Sequence, residues 1–329
     1  MKIGFIPTEG GHYYQECLEE ILYAEELGFD SAWLEEHHSV KDHYWPSPLI
    51  ALAGAATRTS RILLGTDVIV LPFYHPVRIA EDMAMLDIMS GGRFVLGAAI
   101  GYREDEFALY QLPLEKRGAK FAEAIQIIRQ LWTQESVSFQ GTYYQLNDAK
   151  IEPRPTQSPA VWLGGWGELS LKRAATLGDA WVPGPTAGLP QLLDSQAMYR
   201  GCLEAAGKDV KSMPTPLTRE VVIAESDAKA IEIAEKHLLI SYRDEYGGGW
   251  GHPLISKEAS SSVNQLEVLG SDRFIIGSPE TCIRQIQRFI STFGVDHLIC
   301  RLYFPGLPHD FLMRELQLLA TEVMPAFPE

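Results

Sequence analysis

Ile62-Leu63-Leu64-Gly65-Thr66-Asp67-Val68-Ile69-Val70-Leu71 is strongly β-like, and Pro76 opens a helix a few residues later, where its missing N–H costs nothing. Ser90-Gly91-Gly92-Arg93 then leads into a second apolar run, residues 94–100, so residues 62–100 read as strand, helix, strand. The same rhythm extends in both directions. Upstream lie a strand at 3–6, a helix at 14–27 stopped by Gly28, a strand at 31–34 and a helix at 48–57. Downstream come a helix at 115–132 and a hairpin at 137–144 with Gln140-Gly141 at its turn. Strands at 161–163, 180–182 and 221–224 alternate with helices at 169–177, 190–206 and 227–239. After residues 243–272, where the pattern fails, a helix at 279–293, a strand at 296–302 and a helix at 311–323 close the chain. Strands alternating with helices imply a parallel sheet, and eight such units favour a closed (β/α)8 TIM barrel over an open doubly wound sheet.

Composition narrows the function. The 329 residues are 46% hydrophobic and 22% charged, and the length suits one α/β barrel although a simple length prior would give two domains. A net charge of −15 argues against nucleic acid or an anionic membrane surface as partner. Cys17, Cys202, Cys282 and Cys300 are far apart and form no C-x-x-C pair, which reads as scattered reduced thiols. No apolar run approaches the roughly 20 residues of a membrane span, and a cytoplasmic protein is expected.

On a barrel, function gathers at the C-terminal strand ends. There stand Trp33-Leu34-Glu35-Glu36-His37-His38 and Thr66-Asp67-Val68-Ile69-Val70-Leu71-Pro72, then Gly101-Tyr102-Arg103 followed by Glu106-Phe107. Adjacent histidines after a strand point in roughly opposite directions and make poor joint metal ligands, and no H-E-x-x-H helix is present. A lone histidine is more often a structural hydrogen-bonding group; the strand-end position and the Glu-His-His context favour a working one here. Gly164-Gly165-Trp166-Gly167 with Ser170 at a helix start suits a phosphate, because glycines let backbone N–H groups approach an anion at the positive end of the helix. A functionless tight turn is the alternative. There is no G-x-G-x-x-G after the first strand and no Walker A motif, which disfavours a Rossmann nicotinamide site or a nucleoside triphosphate site. Tyr44, Trp45, Phe73, Tyr74 and Tyr102 fall at or beside loops of this face and are expected in a pocket, and Arg78 with Glu81 in structural ion pairs.

With His75-Pro76-Val77-Arg78, Glu81-Asp82 and Ile275-Ile276-Gly277-Ser278-Pro279, these segments resemble the bacterial luciferase-like family of flavin-dependent oxidoreductases, in order and spacing over essentially the whole chain. The resemblance implies one luciferase-like barrel domain with insertions over residues 1–329 and reduced FMN across its mouth. His37 then matches the histidine that works beside the flavin, with Glu36 as an orienting group and His38 as a structural one. A group titrating near neutrality suits proton handling. Asp67-Val68 matches a position where the family often has a non-proline cis peptide beneath the flavin ring; a trans strand with Asp67 facing the mouth is the alternative. The family's reactive cysteine falls at Ala99, so a thiol is dispensable here and light emission is disfavoured. The flavin phosphate is expected at Gly164, Gly165, Trp166, Gly167 and Ser170, with main-chain help from Gly101 and Tyr102.

The activity so implied is a monooxygenase that uses reduced FMN and O2 on a small organic substrate, with reduced flavin supplied by a separate reductase. A hydride-transferring enzyme using the deazaflavin F420 is the alternative on the same scaffold. Its longer acidic tail calls for a basic lining near residues 164–170, where Lys172 and Arg173 are too few to decide. A flavin-binding protein without turnover is disfavoured by His37, and a metal-dependent barrel hydrolase lacks a ligand set. Residues 243–272, with Gly247-Gly248-Gly249, Ser260-Ser261-Ser262 and Trp250 between them, are expected to form a lid insertion. A homodimer is expected.

Overall fold

The computed structural model describes residues 1–41, 43–243, 254, 266 and 272–328. The expected lid at 243–272 therefore falls almost wholly outside the described residues. β1 (Lys2–Ile6) runs into α1 (Tyr14–Leu27), which stops where Gly28 turns left-handed at φ 98°. β2 (Ser31–Leu34) and α2 (Pro48–Ala56) follow. The expected strand at 62–71 is split into β3 (Leu63–Thr66) and β4 (Ile69–Val70) by a cis Asp67–Val68 peptide bond. Gly97 lets the backbones meet at this break, since a Cβ there would stand 1.7 Å from the Thr66 carbonyl oxygen. The Thr66 hydroxyl donates to the Gly97 carbonyl at 2.8 Å and accepts from the Gly97 N–H at 3.0 Å.

α3 (Pro76–Ser90) leads to β5 (Phe94–Ala99). Next come α4 (Glu104–Leu109), which the periodicity did not anticipate, and α5 (Arg117–Thr133). The hairpin pairs β6 (Val137–Gln140) with β7 (Gln145–Ala149), so its turn starts at Gln140-Gly141 as expected and its second strand lies later than expected. β8 (Ala160–Leu163), α6 (Glu168–Leu177), β9 (Ala180–Trp181) and α7 (Leu189–Ala205) follow. β10 (Pro216–Ile223) begins five residues before the expected strand and is buried along its whole length. α8 (Asp227–Ile233), β11 (Ile275–Gly277), α9 (Pro279–Phe293), β12 (His297–Arg301) and α10 (His309–Leu318) complete the order.

All strands outside the hairpin are parallel, in the order β11-β10-β12-β1-β2-β3-β5-β8-β9, with β4 on β5. The Thr218 N–H donates to the Pro183 carbonyl at 3.4 Å, joining β10 to the chain just after β9. The sheet thus curls into a luciferase-like TIM barrel, and β11 lies on the upper half of β10, outside the ring. Inside the ring Trp33 stacks on Trp162 at 4.9 Å, and Ile6, Val95, Val182 and Ile299 fill around them. A Cβ at Gly65 would meet the Trp33 ring at 2.3 Å, so that glycine makes room for the indole. Helices cover the outside with an aliphatic and aromatic core. Among the described residues no helix is long and apolar enough to cross a membrane.

Candidate active site

The C-terminal strand ends surround a cavity of about 330 Å³. Glu36, His37, Asp67, Val68, Ala99 and Gly101 line it from the side of β2 to β5. Tyr102, Gly164, Gly165, Trp166 and Ser170 line it from the side of β5, β8 and α6. These eleven were all marked in the sequence. Gly167 is the exception: it lies in an adjoining cleft of about 500 Å³ that shares Ile100, Arg117, Trp166 and Ser170 with the cavity.

His37 follows β2 and is largely buried. Its Nδ1 lies 2.8 Å from Glu106 Oε1, and its ring meets the edges of Tyr44 at 4.7 Å and Tyr102 at 5.8 Å. Those contacts fix the imidazole plane, and the carboxylate, as an acceptor, favours the ring proton on Nδ1. Glu106 sits on α4 with its carboxylate buried. Burial alone would raise its pKa, but the hydrogen bond and charge of His37, the His38 N–H and Arg103 outweigh burial and hold it below the usual carboxylate range. The role of Glu106 is not visible in the sequence, because the helix that aims it at His37 is only six residues long.

His38 and Glu36 behave differently. His38 Nε2 stands 3.4 Å from Glu36 Oε1, and its Nδ1 is 3.1 Å from the Tyr110 hydroxyl, so it ties loops together. Glu36 also accepts from the Val70 N–H and the Tyr74 hydroxyl. Its carboxylate is thus occupied by protein donors. Of the five aromatics expected in the pocket, Tyr44 and Tyr102 line it. Trp45 is buried, Phe73 stacks on Tyr110, and Tyr74 serves Glu36. Arg78 pairs with Asp82 rather than Glu81, the i,i+4 spacing bringing them onto one helix face.

The far end of the cavity is built for an anion. Arg117, at the start of α5, donates from Nε to the Gly101 carbonyl and from Nη1 to the Leu114 carbonyl, both at 2.9 Å. Arg173 on α6 lies beside it and makes no side-chain hydrogen bond or ion pair with a described residue. Burial and the nearby charge of Arg117 lower the Arg173 pKa. Gly167 caps α6 at φ 82° with no side-chain hydrogen bond to the helix; the Ser170 N–H donates to the Gly167 carbonyl at 3.0 Å, and the Glu168 and Leu169 N–H groups remain for a ligand. Gly165 (φ 126°) and Gly101 (φ 71°) hold backbone conformations that side chains disfavour. Two neighbouring guanidiniums in no ion pair with a carboxylate among the described residues, a helix start without a side-chain cap and glycine-lined backbone fit a phosphate. Arg117 was not marked in the sequence, where it stands alone between Lys116 and Gly118.

Between the two ends, Val68, Ala99, Gly164 and Val182 make a small-residue apolar lining. On the opposite side a buried ionic cluster backs the cavity. Arg301 reaches Glu35 at 2.9 Å, the Tyr44 hydroxyl at 2.8 Å and His43 Nε2 at 2.7 Å. Glu9 lies behind Glu35, and burial followed by repulsion from Glu35 pushes its pKa well up.

A sequence profile of the luciferase-like monooxygenases matches residues 3–297. Among curated proteins, an F420-dependent glucose-6-phosphate dehydrogenase of Amycolatopsis mediterranei (strain U-32) is 29% identical, over 99% of this chain and 98% of its own length. Among solved structures, the monooxygenase RslO1 from Streptomyces bottropensis superposes with a TM-score of 0.85 at 24% identity, covering 100% of both chains. The oxygenating constituent of 3,6-diketocamphane monooxygenase from Pseudomonas putida, solved in complex with FMN, gives 0.78 at 21% identity over 99% and 98% of the two chains. Its fold and the profile match over nearly all its length identify this chain as an oxidoreductase belonging to the luciferase-like monooxygenase family.

Proposed function

We propose that the protein is a monooxygenase that uses reduced FMN and dioxygen to oxygenate a small organic substrate. The observation that carries this reading is a cavity with a proton station, His37 on Glu106, and a cationic wall at Arg117, where the adjoining cleft adds Arg173. Bound reduced FMN supplies the electrons that activate dioxygen. The protein's own groups do the rest. Arg117, Ser170 and the first turn of α6 hold the phosphate. Gly101, Gly164 and Gly165 admit the cofactor close to the backbone, and Val68, Ala99 and Val182 keep water from the ring. His37, oriented by Glu106, gives and takes a proton at Nε2 beside the reacting oxygen. Titration with FMN, reduced FMN and F420, followed by oxygen uptake, tests the reading. Tightest binding of reduced FMN and oxygen-dependent product formation support it; preferential binding of F420 without oxygen uptake overturns it.

A second reading has a specific observation behind it. The adjoining cleft carries Lys116, Arg117 and Arg173, a more basic path than Lys172 and Arg173 alone, and it suits the longer acidic tail of F420. The dehydrogenase relatives point the same way. On either reading residues 1–329 form one barrel domain working in the cytoplasm. We further propose a homodimer, supported by exposed Ile50 on the wholly apolar α2 and by exposed Met85 and Ile88 on the neighbouring α3. Reduced FMN would come from a separate reductase.

A further inference from the structure

His37 shares its cavity with another titratable side chain. Asp67 stands where β3 breaks and lines the same space, 8% exposed. Its N–H donates to the Leu34 carbonyl at 2.9 Å, and across the ring the Thr218 hydroxyl on β10 donates to its Oδ2. Oδ1 has no hydrogen-bond partner among the described residues.

Among the described residues Asp67 has no counter-ion of its own. The positive charge acting on it is Arg301 on β12, which three other carboxylates already share: Glu35 at 2.9 Å, Glu220 at 3.8 Å and Glu9 at 4.0 Å. Glu36, tied to Val70, Tyr74 and His38, and the His37–Glu106 pair face it from the loops after β2 and β5. Crowded carboxylates in a poorly solvated space do not all ionise together. Of the three that line the cavity, Glu36 is taken up by Val70, Tyr74 and His38 and Glu35 by Arg301, which leaves Asp67 as the one that keeps an exchangeable proton. Burial first, and then the charge of Glu35, raise the Asp67 carboxyl to about 7, against the smaller opposing pull of Thr218 and Arg301.

We propose that Asp67 is a second acid of this active site, a carboxyl that gives its proton to the oxygen atom departing as water while His37 serves the other reacting oxygen. This rests on the monooxygenase reading. Substrate, O2 and reduced FMN (carrying two hydrogens) give oxygenated substrate, water and oxidised FMN. The untransferred oxygen must therefore acquire protons as its bond to the other oxygen breaks. Asp67 recovers its proton from the two that reduced flavin gives up, so atoms and electrons balance. Two groups held in different environments, an imidazole hydrogen-bonded to a carboxylate and a carboxyl among carboxylates, divide the proton work.

The test pairs two readouts. In the cofactor-free protein, infrared difference spectra of wild type against Asp67→Asn should show a protonated carboxyl that disappears with a midpoint near pH 7. In turnover with reduced FMN supplied, kcat should fall as pH rises through that midpoint. Asp67→Asn should lose about 10²-fold in kcat, the usual scale for a positioned acid, and lose that limb of the profile. Thr218→Val removes the donor that favours the ionised form, so the infrared midpoint and the kinetic limb should rise together. A shift of the midpoint without the limb overturns the proposal, as does a wild-type profile in Asp67→Asn or the absence of a protonated carboxyl at pH 6. Failure of the underlying reading shows separately, as wild-type enzyme that consumes no oxygen with reduced FMN.

Discussion

Replacing Glu106 with Gln removes one charge beneath His37 and changes little in shape. Oε1 of Glu106 takes three donors: His37 Nδ1 at 2.8 Å, the His38 N–H at 2.8 Å and Arg103 Nη1 at 3.3 Å. Oε2 is buried with no partner among the described residues. If the amide oxygen takes the place of Oε1, each charge-assisted bond becomes a neutral one. That exchange costs about 1–2 kcal/mol at His37, or roughly 5- to 30-fold in the population of correctly protonated imidazole. The amide NH2 then occupies a buried position without an acceptor, a further loss of roughly 1–3 kcal/mol in stability. If the amide flips instead, it donates toward Nδ1, forces the imidazole proton onto Nε2 and reverses the tautomer, a larger kinetic loss. Glu106→Gln should therefore lower kcat by about 10- to 10²-fold, lower Tm, and leave FMN affinity within about twofold of wild type. Stopped-flow turnover across pH, with calorimetric melting on the same samples, measures all three. Unchanged kcat and an unchanged pH profile alongside a lower Tm would make Glu106 a structural carboxylate only and refute the proton-station argument.

Other perturbations probe the remaining walls. His37→Ala should keep the fold and flavin affinity and lose about 10²-fold in turnover, whereas His38→Ala should lose Tm first, having cut ties to Glu36 and Tyr110; equal kinetic losses would mean the pair is misassigned. Arg117→Ala should weaken FMN binding by about 10- to 10²-fold, as expected for a lost charged contact, and Gly167→Asp should weaken it by setting a carboxylate near the phosphate. Unchanged affinity by fluorescence titration would move the phosphate elsewhere. The stability of wild type should fall as pH rises between 3.8 and about 7, because folded Asp67 holds a proton that the unfolded chain has released. At 1.36 kcal/mol per pH unit the full effect is roughly 4 kcal/mol, so Asp67→Asn should be the more stable protein at pH 8 but not at pH 3. Parallel denaturation curves at both pH values would contradict that.

The barrel was legible because its strands are short apolar runs separated by amphipathic helices, and α1 ended at Gly28 as read. The strand at 62–71 misled because the β-type residues Thr66 and Val68 flank Asp67 at the break, and the close approach of Gly97 that accompanies it comes from 31 positions away in the chain. β10 was trimmed because Pro216, Thr218, Arg219 and Glu220 look like loop residues until partners across the barrel absorb their polarity. The same limit governed the site. Residues contiguous with a motif, such as His37 and Gly164, were marked from sequence. Arg117, Glu106 and Arg301 became visible only when folding carried them across 16 to more than 250 positions to their partners.

The stacked Trp33 and Trp162 lie directly under the cavity, packed with Val182 and Val68, which are themselves part of its lining. Trp166 forms part of the wall and meets Trp181 edge-on at 5.6 Å. The enzyme thus carries a built-in optical reporter. A ring system that absorbs where indoles emit, seated within a few ångströms of them, drains their excited state, so intrinsic emission will track occupancy of the site without any added label. Replacing Trp166 with Phe would divide that signal into the share from the wall and the share from beneath the floor.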